Sequence, residues 1–576
     1  MTPSFSTRLA AAVLLLLGPS SWSQTLTRSI VSRELWPDMQ AYEAQLVRIA
    51  DQTSDGVSEI LVGDHSFRFL DMNLPRGKVS VLDGATGEEL WGLLGETRVP
   101  PPDMTEGLGF SLTEVGDRDG DGLPDILTGS LFGRALILSA RDGEEIHRSS
   151  QVVEIVASLG DIDGDGVLDL AFRSAAPPWG KIDVRSGRTL DVLYSVQPPF
   201  LCYLYGHAIL SIGDVDGDLV PDYAVSAPDN AWNPVRDFCN EAYVFVYSGR
   251  TGTLLYFIPR PGAGECEVFG YSLAAPGDLN GDEIPDLVIG QPNVGYIWGG
   301  VPRLYFHDGK SGARINEIEP PVGLQLNFAR VLLSVGDANG NGHPDLLVSN
   351  THLVRRSFEI NDRGEALLID TGTREILYRI TSEHTADVNF AGSFAMAMAH
   401  LGDRDGDEFP DFLIGTTGLG SSPGRLDWYE GAPQGIRVLG QSCTGNARVA
   451  PRIGASGAPR IGRDYAVHLS RVEPDQKALL AVGFPGSAGR FGWLGAMGRG
   501  GMACAPAFLP TKVHLAVARS TVGKEAAATV KIPIANDPAL VGRVLVAQWH
   551  LIGGRGPAST RVLEITIQEP EPARED

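Results

Sequence analysis

Basic residues, paired metal-type histidines and long apolar runs are all scarce in this chain. Its 576 residues include 47 lysines and arginines against 71 aspartates and glutamates, which gives a formal net charge of −24. Nucleic-acid binding needs basic faces, so this acidic balance argues against that class of partner. The eleven histidines are scattered, with none of the His-x-x-x-His or His-Glu spacings that suit a zinc site.

The strongly apolar run at residues 9–17 is too short to cross a membrane. It covers about nine residues, whereas a spanning helix needs about 20. Arg8 precedes the run and the small-residue site Ser21-Trp22-Ser23 follows it, which is the layout of an export signal. The sequence therefore predicts a signal peptide over residues 1–23, cleavage near Ser23, and a mature protein that is secreted, on the cell surface or periplasmic.

Cysteine is also rare, with five residues in the whole chain. Such a small number fits an oxidising compartment, and the odd count leaves one thiol without a partner. Cys443 and Cys504 are the two cysteines of the C-terminal part, and we predict that they pair. Cys239 lies between Cys202 and Cys266 and can bond only one of them. We predict the Cys202–Cys239 pair, with Cys266 left as a thiol.

What the chain does contain is an acidic loop repeated seven times. An apolar segment leads into an aspartate, acidic residues follow at every second position, and a second apolar segment leaves the loop. We number these acidic loops one to seven, starting at Asp51, Asp117, Asp161, Asp214, Asp278, Asp337 and Asp403. The starts lie 44 to 66 residues apart, which is the period of a repeat architecture and too long for back-to-back calcium repeats.

Each repeat carries four short segments with strand character. Around loop four they are residues 205–210, 223–225, 243–247 and 254–257, separated by turns. Four-stranded antiparallel units repeated in a ring make a β-propeller. Seven loops therefore predict an all-β fold, a seven-bladed β-propeller over residues 24–435. The seventh unit lacks a good fourth strand after Arg425, and we expect the N-terminal segment 29–35 to supply it.

The rest of the chain has a different character. Six apolar segments between residues 465 and 567 have no acidic loops between them. They predict a small β-sandwich over residues 436–570. Residues 571–576 are predicted to be a disordered acidic tail.

The acidic loops suit calcium, because this ion takes six to eight oxygen ligands and tolerates flexible geometry. The predicted ligands are the side chains at loop positions one, three, five and nine and the backbone carbonyl at position seven. An EF-hand would need flanking helices and a glutamate at position twelve, which is not acidic in any of the seven loops. The predicted ligands are Asp51, Thr53, Asp55, Glu59, Asp117, Asp119, Asp121, Leu123, Asp125, Asp161, Asp163, Asp165, Val167, Asp169, Asp214, Asp216, Asp218, Val220, Asp222, Asp278, Asn280, Asp282, Ile284, Asp286, Asp337, Asn339, Asn341, His343, Asp345, Asp403, Asp405, Asp407, Phe409 and Asp411.

The seven loops are not equal. Loops two and three have all four acids and a glycine at position six, where a positive φ is expected, so they are the predicted strongest Ca²⁺ sites. Leu219 occupies position six of loop four and is expected to be strained. Loops one and six carry less charge and are expected to bind weakest. We expect about four to six bound ions with dissociation constants on the order of 10⁻⁴–10⁻³ M. The alternative is that these aspartates only cap turns.

Three motifs taken together resemble FG-GAP repeats. They are Phe269-Gly270 at the start of a unit, Asp-x-Asp-x-Asp-Gly-x-x-Asp in the loop, and Gly290-Gln291-Pro292 after the second strand. Such repeats build the propeller of integrin alpha subunits and of many secreted bacterial proteins. The resemblance implies Ca²⁺ in loops on one face and partner contacts through the opposite face. The chain has no Arg-Gly-Asp and no room for an inserted ligand-binding domain, so it resembles a bacterial FG-GAP repeat protein more than an integrin subunit.

No catalytic constellation stands out. Gly109-Phe110-Ser111 lacks the closing glycine of a nucleophile elbow and sits where a strand begins. We therefore predict a monomeric, non-enzymatic adhesion or interaction module whose partner is an extracellular protein or glycan. Two alternatives stay open. One is an extracellular hydrolase or lyase acting on polysaccharide or lipid, since propellers also host enzymes, and the other is a structural component of the cell envelope.

Overall fold

The computed structural model describes much of the chain between residues 24 and 567. For residues 24–31, 430, 432–433, 436–439, 456, 483, 510–517, 519–520, 526, 552, 559, 562 and 564 it describes the backbone alone. The predicted signal peptide and the predicted acidic tail lie outside the described residues. The described residues are 24–31, 45–65, 76–96, 106–174, 180–200, 202, 204–228, 242–262, 268–292, 301–320, 327–351, 364–381, 394–404, 409–416, 425–433, 436–439, 451–456, 459–460, 464–472, 477–483, 510–517, 519–520, 526–552, 558–560 and 562–567.

Each of the first six acidic loops joins the first two strands of a four-stranded antiparallel sheet, and we number the sheets after the loops. Sheet one contains β2 (Gln45–Arg48), β3 (Ile60–Asp64), β4 (Lys78–Leu82) and β5 (Glu89–Leu94). Sheet two contains β6 (Leu108–Glu114), β7 (Ile126–Ser130), β8 (Arg134–Leu138) and β9 (Glu145–Val152). Sheet three contains β10 (Ile155–Gly160), β11 (Asp169–Ser174), β12 (Lys181–Arg185) and β13 (Val192–Val196).

The same order of strands recurs in the next three sheets. Sheet four contains β14 (Ile209–Gly213), β15 (Asp222–Ala227), β16 (Tyr243–Tyr247) and β17 (Leu254–Pro259). Sheet five contains β18 (Ser272–Gly277), β19 (Asp286–Gln291), β20 (Arg303–His307) and β21 (Arg314–Ile318). Sheet six contains β22 (Phe328–Gly336), β23 (Asp345–Asn350), β24 (Glu365–Asp370) and β25 (Ile376–Thr381). The second and third strands of these sheets are buried along almost their whole length, which explains why their sequences are nearly continuous apolar runs.

Sheet seven is assembled from both ends of the repeat region. Its strands are β26 (Phe394–Gly402), β27 (Asp411–Thr416), β28 (Arg425–Pro433) and the N-terminal β1 (Gln24–Val31), in that order. β1 runs antiparallel to β28, with Ser29 opposite Asp427 and Val31 opposite Arg425. The N-terminal segment therefore does supply the missing strand, but this strand begins at Gln24 rather than at Ser29, and residues 32–35 lie outside the described residues.

The first strands of the seven sheets follow one another around a closed path. β2, β6, β10, β14, β18, β22 and β26 contact their neighbours in this order, and β26 contacts β2 again. One hydrophobic cluster spans that last junction and contains Val62 and Leu82 of sheet one with Leu413 and Trp428 of sheet seven. The fold is thus all-β and built from four-stranded antiparallel sheets, as expected of a β-propeller.

Two further sheets follow the repeat region. The first contains β29 (Ile436–Leu439), β38 (Val562–Thr566), β36 (Val544–Ile552), β32 (Lys477–Gly483) and β33 (Pro510–Val517), with β37 (Ala558–Ser559) beside β36. The second contains β30 (Arg452–Ser456), β31 (Asp464–Val472), β35 (Ala526–Pro533) and β34 (Arg519–Ser520). Tyr465 and Val467 of the second sheet share one hydrophobic core with Leu480 and Trp549 of the first. The described residues include a short 3-10 turn at Pro538–Leu540 but no helix long and apolar enough to cross a membrane.

Cys202 is the one cysteine among the described residues. It is buried, at 2% exposure, in the same cluster as Tyr205 and Tyr223. Cys239, Cys266, Cys443 and Cys504 lie outside the described ranges, so both disulfide bonds remain predictions.

Candidate metal loops and channel mouth

The aspartate at position one bends each described loop around itself. In loop three, Asp161 accepts hydrogen bonds from the backbone N–H of Gly164 at 2.8 Å and of Gly166 at 2.9 Å. Loops one, two, four, five and six have the same two bonds, from the residues three and five positions further on. These Asx-type bonds cap the turns, so turn capping is a genuine part of what the aspartates do.

The residues at loop positions four and six adopt left-handed backbone conformations. In loop four, Gly217 has φ 86° and Leu219 has φ 68°, and the Leu219 side chain is 90% exposed. The strain expected at Leu219 is therefore confirmed, and a conformation of this kind costs about 1–3 kcal/mol for a residue other than glycine. Glu283, at position six of loop five, has the same φ of 68°.

In four of the loops, the acid at position nine fastens the loop to the rest of its sheet. In loop three, one carboxylate oxygen of Asp169 accepts from Ile162 N–H at 2.7 Å, and the other accepts from Gly187 N–H at 2.7 Å. Gly187 lies in the turn after the third strand of the sheet. The same link joins loops four, five and seven to the corresponding glycines, Gly249, Gly309 and Gly431.

Burial of these position-nine acids opposes their ionisation. The side chains of Asp169, Asp222 and Asp286 are 0% exposed. Burial raises the pKa of Asp169 and of Asp222 above the usual range, and it raises the pKa of Asp286 to about 6 although backbone N–H groups bond to its carboxylate. A cation close to the loop favours the ionised form and would offset this penalty.

Three loops bring carboxylate oxygens close enough to share one ion. The groups are Asp117, Asp119 and Asp125 in loop two, Asp161, Asp163 and Asp169 in loop three, and Asp214, Asp216 and Asp218 in loop four, each with one oxygen per residue within 4.8 Å of the others. Oxygens bound to one calcium ion at about 2.4 Å lie no further apart than this. The donors are all oxygens and part of each group is exposed, so the residues of these three loops fit calcium.

The sequence reasoning missed the arginines that accompany the position-five carboxylates. Arg141, Arg188 and Arg250 lie in the turns after the third strands of sheets two, three and four. The Nε atom of Arg188 lies 2.9 Å from Asp165 Oδ2, and its guanidinium also donates to Asp165 O at 2.7 Å. Arg141 pairs with Asp121 at 2.5 Å, and Arg250 pairs with Asp218 at 2.9 Å. A basic residue at the same place in successive repeats was the available signal.

Replacing Arg188 with alanine is expected to tighten calcium binding in loop three about fivefold. A positive charge beside an exposed site disfavours a second cation by about 1 kcal/mol, because the interaction is screened by solvent. The measurement is a calcium titration that follows amide hydrogen exchange at residues 163–166. Arg314→Ala, at an exposed ion pair with Glu317 on β21, is the matched control. If Arg188→Ala instead binds calcium more weakly than wild type, the role of Arg188 is to hold loop three in its binding conformation.

The other loops bring their predicted ligands together less completely. Among the described residues, loops one, five and six have no three acidic oxygens within the same 4.8 Å. In loop one, Glu59 accepts from the N–H groups of Gln52 and Thr53. Asp405 and Asp407 of loop seven lie outside the described residues, whereas Asp411 is buried and accepts from Arg404 N–H at 2.9 Å.

The opposite ends of the first strands surround a cavity of about 490 Å³, which we call the channel mouth. Phe110, His207, Tyr271 and Arg330 line it, each directly after the glycine or alanine that opens its repeat, and His65 joins them. The rings of His65 and Phe110 lie 5.1 Å apart, those of His207 and Tyr271 lie 4.7 Å apart, and the Arg330 guanidinium lies 5.0 Å from the Tyr271 ring. Aromatic faces and one cation thus meet at a half-buried site of the size that ligand pockets have.

The sequence of this chain is similar to those of integrin alpha subunits. The chain is 31% identical to human integrin alpha-8 over 182 residues, 29% identical to mouse integrin alpha-8 over 180 residues, and 27% identical to Drosophila melanogaster integrin alpha-PS2 over 173 residues. These matches cover 29% to 31% of this chain and 12% to 16% of the relatives, so the chain aligns with less than a fifth of their length. They confirm the resemblance to an integrin-alpha-like FG-GAP propeller.

The remaining comparisons add little. No protein-family model matches the chain. A crystal structure of BBS1N in complex with ARL6DN aligns with 71% of this chain and 98% of its own at a TM-score of 0.42 and 10% identity, which is too low to carry an argument. The three relatives named above are animal proteins, and a bacterial origin remains a prediction.

Proposed function

We propose that this protein is a secreted, calcium-binding FG-GAP β-propeller that acts as a non-enzymatic interaction module for an extracellular protein or glycan. In this proposal the seven sheets are the blades of one propeller over residues 24–435, closed by β1. Residues 436–570 are a β-sandwich that follows it, and residues 1–23 are an export signal. The contact of β26 with β2 and the core shared by the two C-terminal sheets support this division.

The observation that carries the calcium part is the convergence of carboxylates at the same place in three successive repeats. Loops two, three and four each hold three acidic oxygens within 4.8 Å. The buried acid at position nine, whose ionisation is opposed by burial, is one of the three in loops two and three and lies in the same loop in loop four. A turn-capping aspartate needs no such crowding, since its hydrogen bonds are satisfied by one carboxylate. The proposal therefore assigns a stabilising ion to these loops, and a partner to the opposite face.

The channel mouth is the proposed centre of that partner-binding face. Its lining residues come from several sheets, so a partner seated there contacts several repeats at once. Tyr271, Phe110 and Arg330 offer aromatic stacking and a charge-assisted hydrogen bond, the two kinds of contact that dominate protein hot spots and sugar binding.

Substitution of Tyr271 or Arg330 with alanine is expected to weaken partner binding at least tenfold. The probes are immobilised extracellular-matrix proteins and neutral and acidic polysaccharides, tested against the mature chain with calcium and with EDTA. Arg314→Ala, on the outer strand β21, should bind as the wild-type chain does. The variants need melting temperatures within a few degrees of wild type for the comparison to stand.

Two results would overturn the proposal. One is binding that is equally strong in the Tyr271 and Arg330 variants, because the partner would then use another surface. The other is steady release of cleaved saccharide or fatty acid from a probe by the wild-type chain, which would favour the hydrolase alternative.

A further inference from the structure

Acidic loop six lies underneath the C-terminal sheets, where the neighbouring loop seven contributes Phe409 to their core. Strand β30 crosses directly over loop positions three and four. A Cβ atom placed on Gly454 would lie 1.9 Å from the carbonyl oxygen of Asn339, and one placed on Gly340 would lie 2.9 Å from Gly454 Cα. Backbone therefore touches backbone at this point, and only glycine fits on either side.

The covering changes the environment of the predicted ligands. Asn339 at position three is 0% exposed and Asn341 at position five is 9% exposed. The position-three residues of loops two, three, four and five, by contrast, are exposed. An ion at loop six would have to shed most of its water, although calcium sites of this kind usually complete their coordination with water.

The side chains of loop six are also committed to protein partners. The amide nitrogens of Asn339 and Asn341 donate to Asp370 Oδ2 at 3.2 and 2.5 Å. Asp370 lies at the end of β24 and is buried, so these two bonds satisfy an acid that has little access to water. An aspartate at position three or five would place a second carboxylate against Asp370, which explains the two asparagines.

A positive charge reaches the loop from the C-terminal sheets. The Arg452 guanidinium, 7% exposed, donates to the carbonyl oxygen of Asp337 and lies 3.3 Å from that of Ala338. Two further contacts accompany it: Tyr378 OH donates to Ala455 O at 3.4 Å, and Phe409 belongs to the hydrophobic core of the C-terminal sheets. Loops two, three and four receive their arginine from their own sheet and remain open to solvent.

We infer that loop six does not bind calcium and is instead the docking site of the C-terminal sheets, with Arg452 supplying the positive charge that calcium supplies to the other loops. The residues Asp337, Asn339, Asn341, His343 and Asp345 thus keep the repeat's shape but serve an internal contact. The metal half of this inference rests on the proposed calcium sites in loops two to four, whereas the docking half does not.

Metal counting with two matched variants tests the first half. Asp337→Asn and Asp161→Asn remove the same position-one charge from loops six and three. In the mature chain at saturating calcium, counted by equilibrium dialysis and mass spectrometry, Asp161→Asn is expected to lose one ion and Asp337→Asn none. Loss of one ion in Asp337→Asn would overturn the inference. The wild-type chain gives an independent reading, because EDTA should accelerate amide exchange at residues 163–166 at least tenfold and leave residues 339–342 unchanged.

The docking half is tested with Arg452→Met. At saturating calcium, amide exchange at residues 338–342 is expected to rise about tenfold, while residues 163–166 keep their protection. Arg543→Met, an exposed arginine of the C-terminal sheets, should change neither segment. Unchanged exchange at residues 338–342 in Arg452→Met would overturn the docking role. If no calcium is bound anywhere, the Asp161→Asn comparison fails and the proposed function fails with it, but the Arg452→Met result still decides the docking.

Discussion

Removal of calcium is expected to lower the melting temperature of the mature chain, residues 24–576, by about 10–15 °C. At 10 mM calcium and dissociation constants on the order of 10⁻⁴ M, each occupied loop adds about 2.7 kcal/mol to the free energy of unfolding. A domain of about 400 residues shifts by about 1.2 °C for each kcal/mol, since its unfolding entropy scales with length. Three to five sites therefore give the expected shift, measured by thermal melts in calcium and in EDTA.

Two controls separate bound calcium from general screening of the acidic charge. Magnesium at the same concentration screens the carboxylates equally, but it dehydrates reluctantly and should recover only a small part of the shift. The triple variant Asp119→Asn, Asp163→Asn and Asp216→Asn removes one ligand charge from each of loops two, three and four. Asparagine keeps the Oδ1 acceptor that receives the N–H two residues on in all three loops.

The triple variant should lose most of the calcium-dependent shift and bind three fewer ions. Glu319→Gln, at an exposed ion pair with Arg303 at the end of sheet five opposite the loops, should behave as wild type. If EDTA leaves the melting temperature unchanged and no metal is bound, the acidic loops are turns capped by aspartates and do not bind calcium. The proposal of a calcium-stabilised module would then be wrong.

The sequence predicted the parts of this fold that local chemistry determines. The acidic loops repeat a pattern of Asx bonds and left-handed residues, and each of these depends on only a few neighbouring positions. The conformation of loop three can therefore be predicted from Asp161, Gly164 and Gly166 without knowledge of the rest of the chain. The second and third strands of each sheet could also be predicted from local sequence, because a strand that is buried on both faces consists of a short apolar run. Even the expected strain at Leu219 followed from a single position in the repeat.

Contacts between segments that are distant in the sequence could not be predicted from local sequence. Arg188 reaches Asp165 across 23 positions, and Arg452 reaches Asp337 across 115. The asparagines at positions 339 and 341 lower the charge of loop six. The sequence around them does not indicate that these two side chains bond to Asp370 and lie beneath the C-terminal sheets. The channel mouth likewise draws residues from several repeats, and only the closed path of first strands brings Phe110 and Arg330 to one cavity.

Closure of that path depends on β1, and its removal is expected to have the largest effect on stability of any short truncation. β1 pairs along β28, which carries Trp428 and Tyr429, each 1% exposed. Without β1 the backbone groups on that edge of β28 lose their partners, and an unpaired edge strand is prone to associate with other chains. A chain that starts at residue 32 should melt at least 10 °C below one that starts at residue 24, or fail to remain soluble.

A peptide of residues 24–31 makes this expectation testable even if the shortened chain is poorly soluble. Because β1 pairs with the rest of sheet seven through backbone hydrogen bonds to β28, the free peptide should bind the shortened chain and raise its melting temperature, whereas a scrambled peptide should not. Deletion of residues 571–576 is the matched truncation at the other terminus and should leave the melt unchanged. Equal melting temperatures for chains that start at residues 24 and 32 would show that the sheets are held in place by their first strands alone, and β1 would then be dispensable for closure.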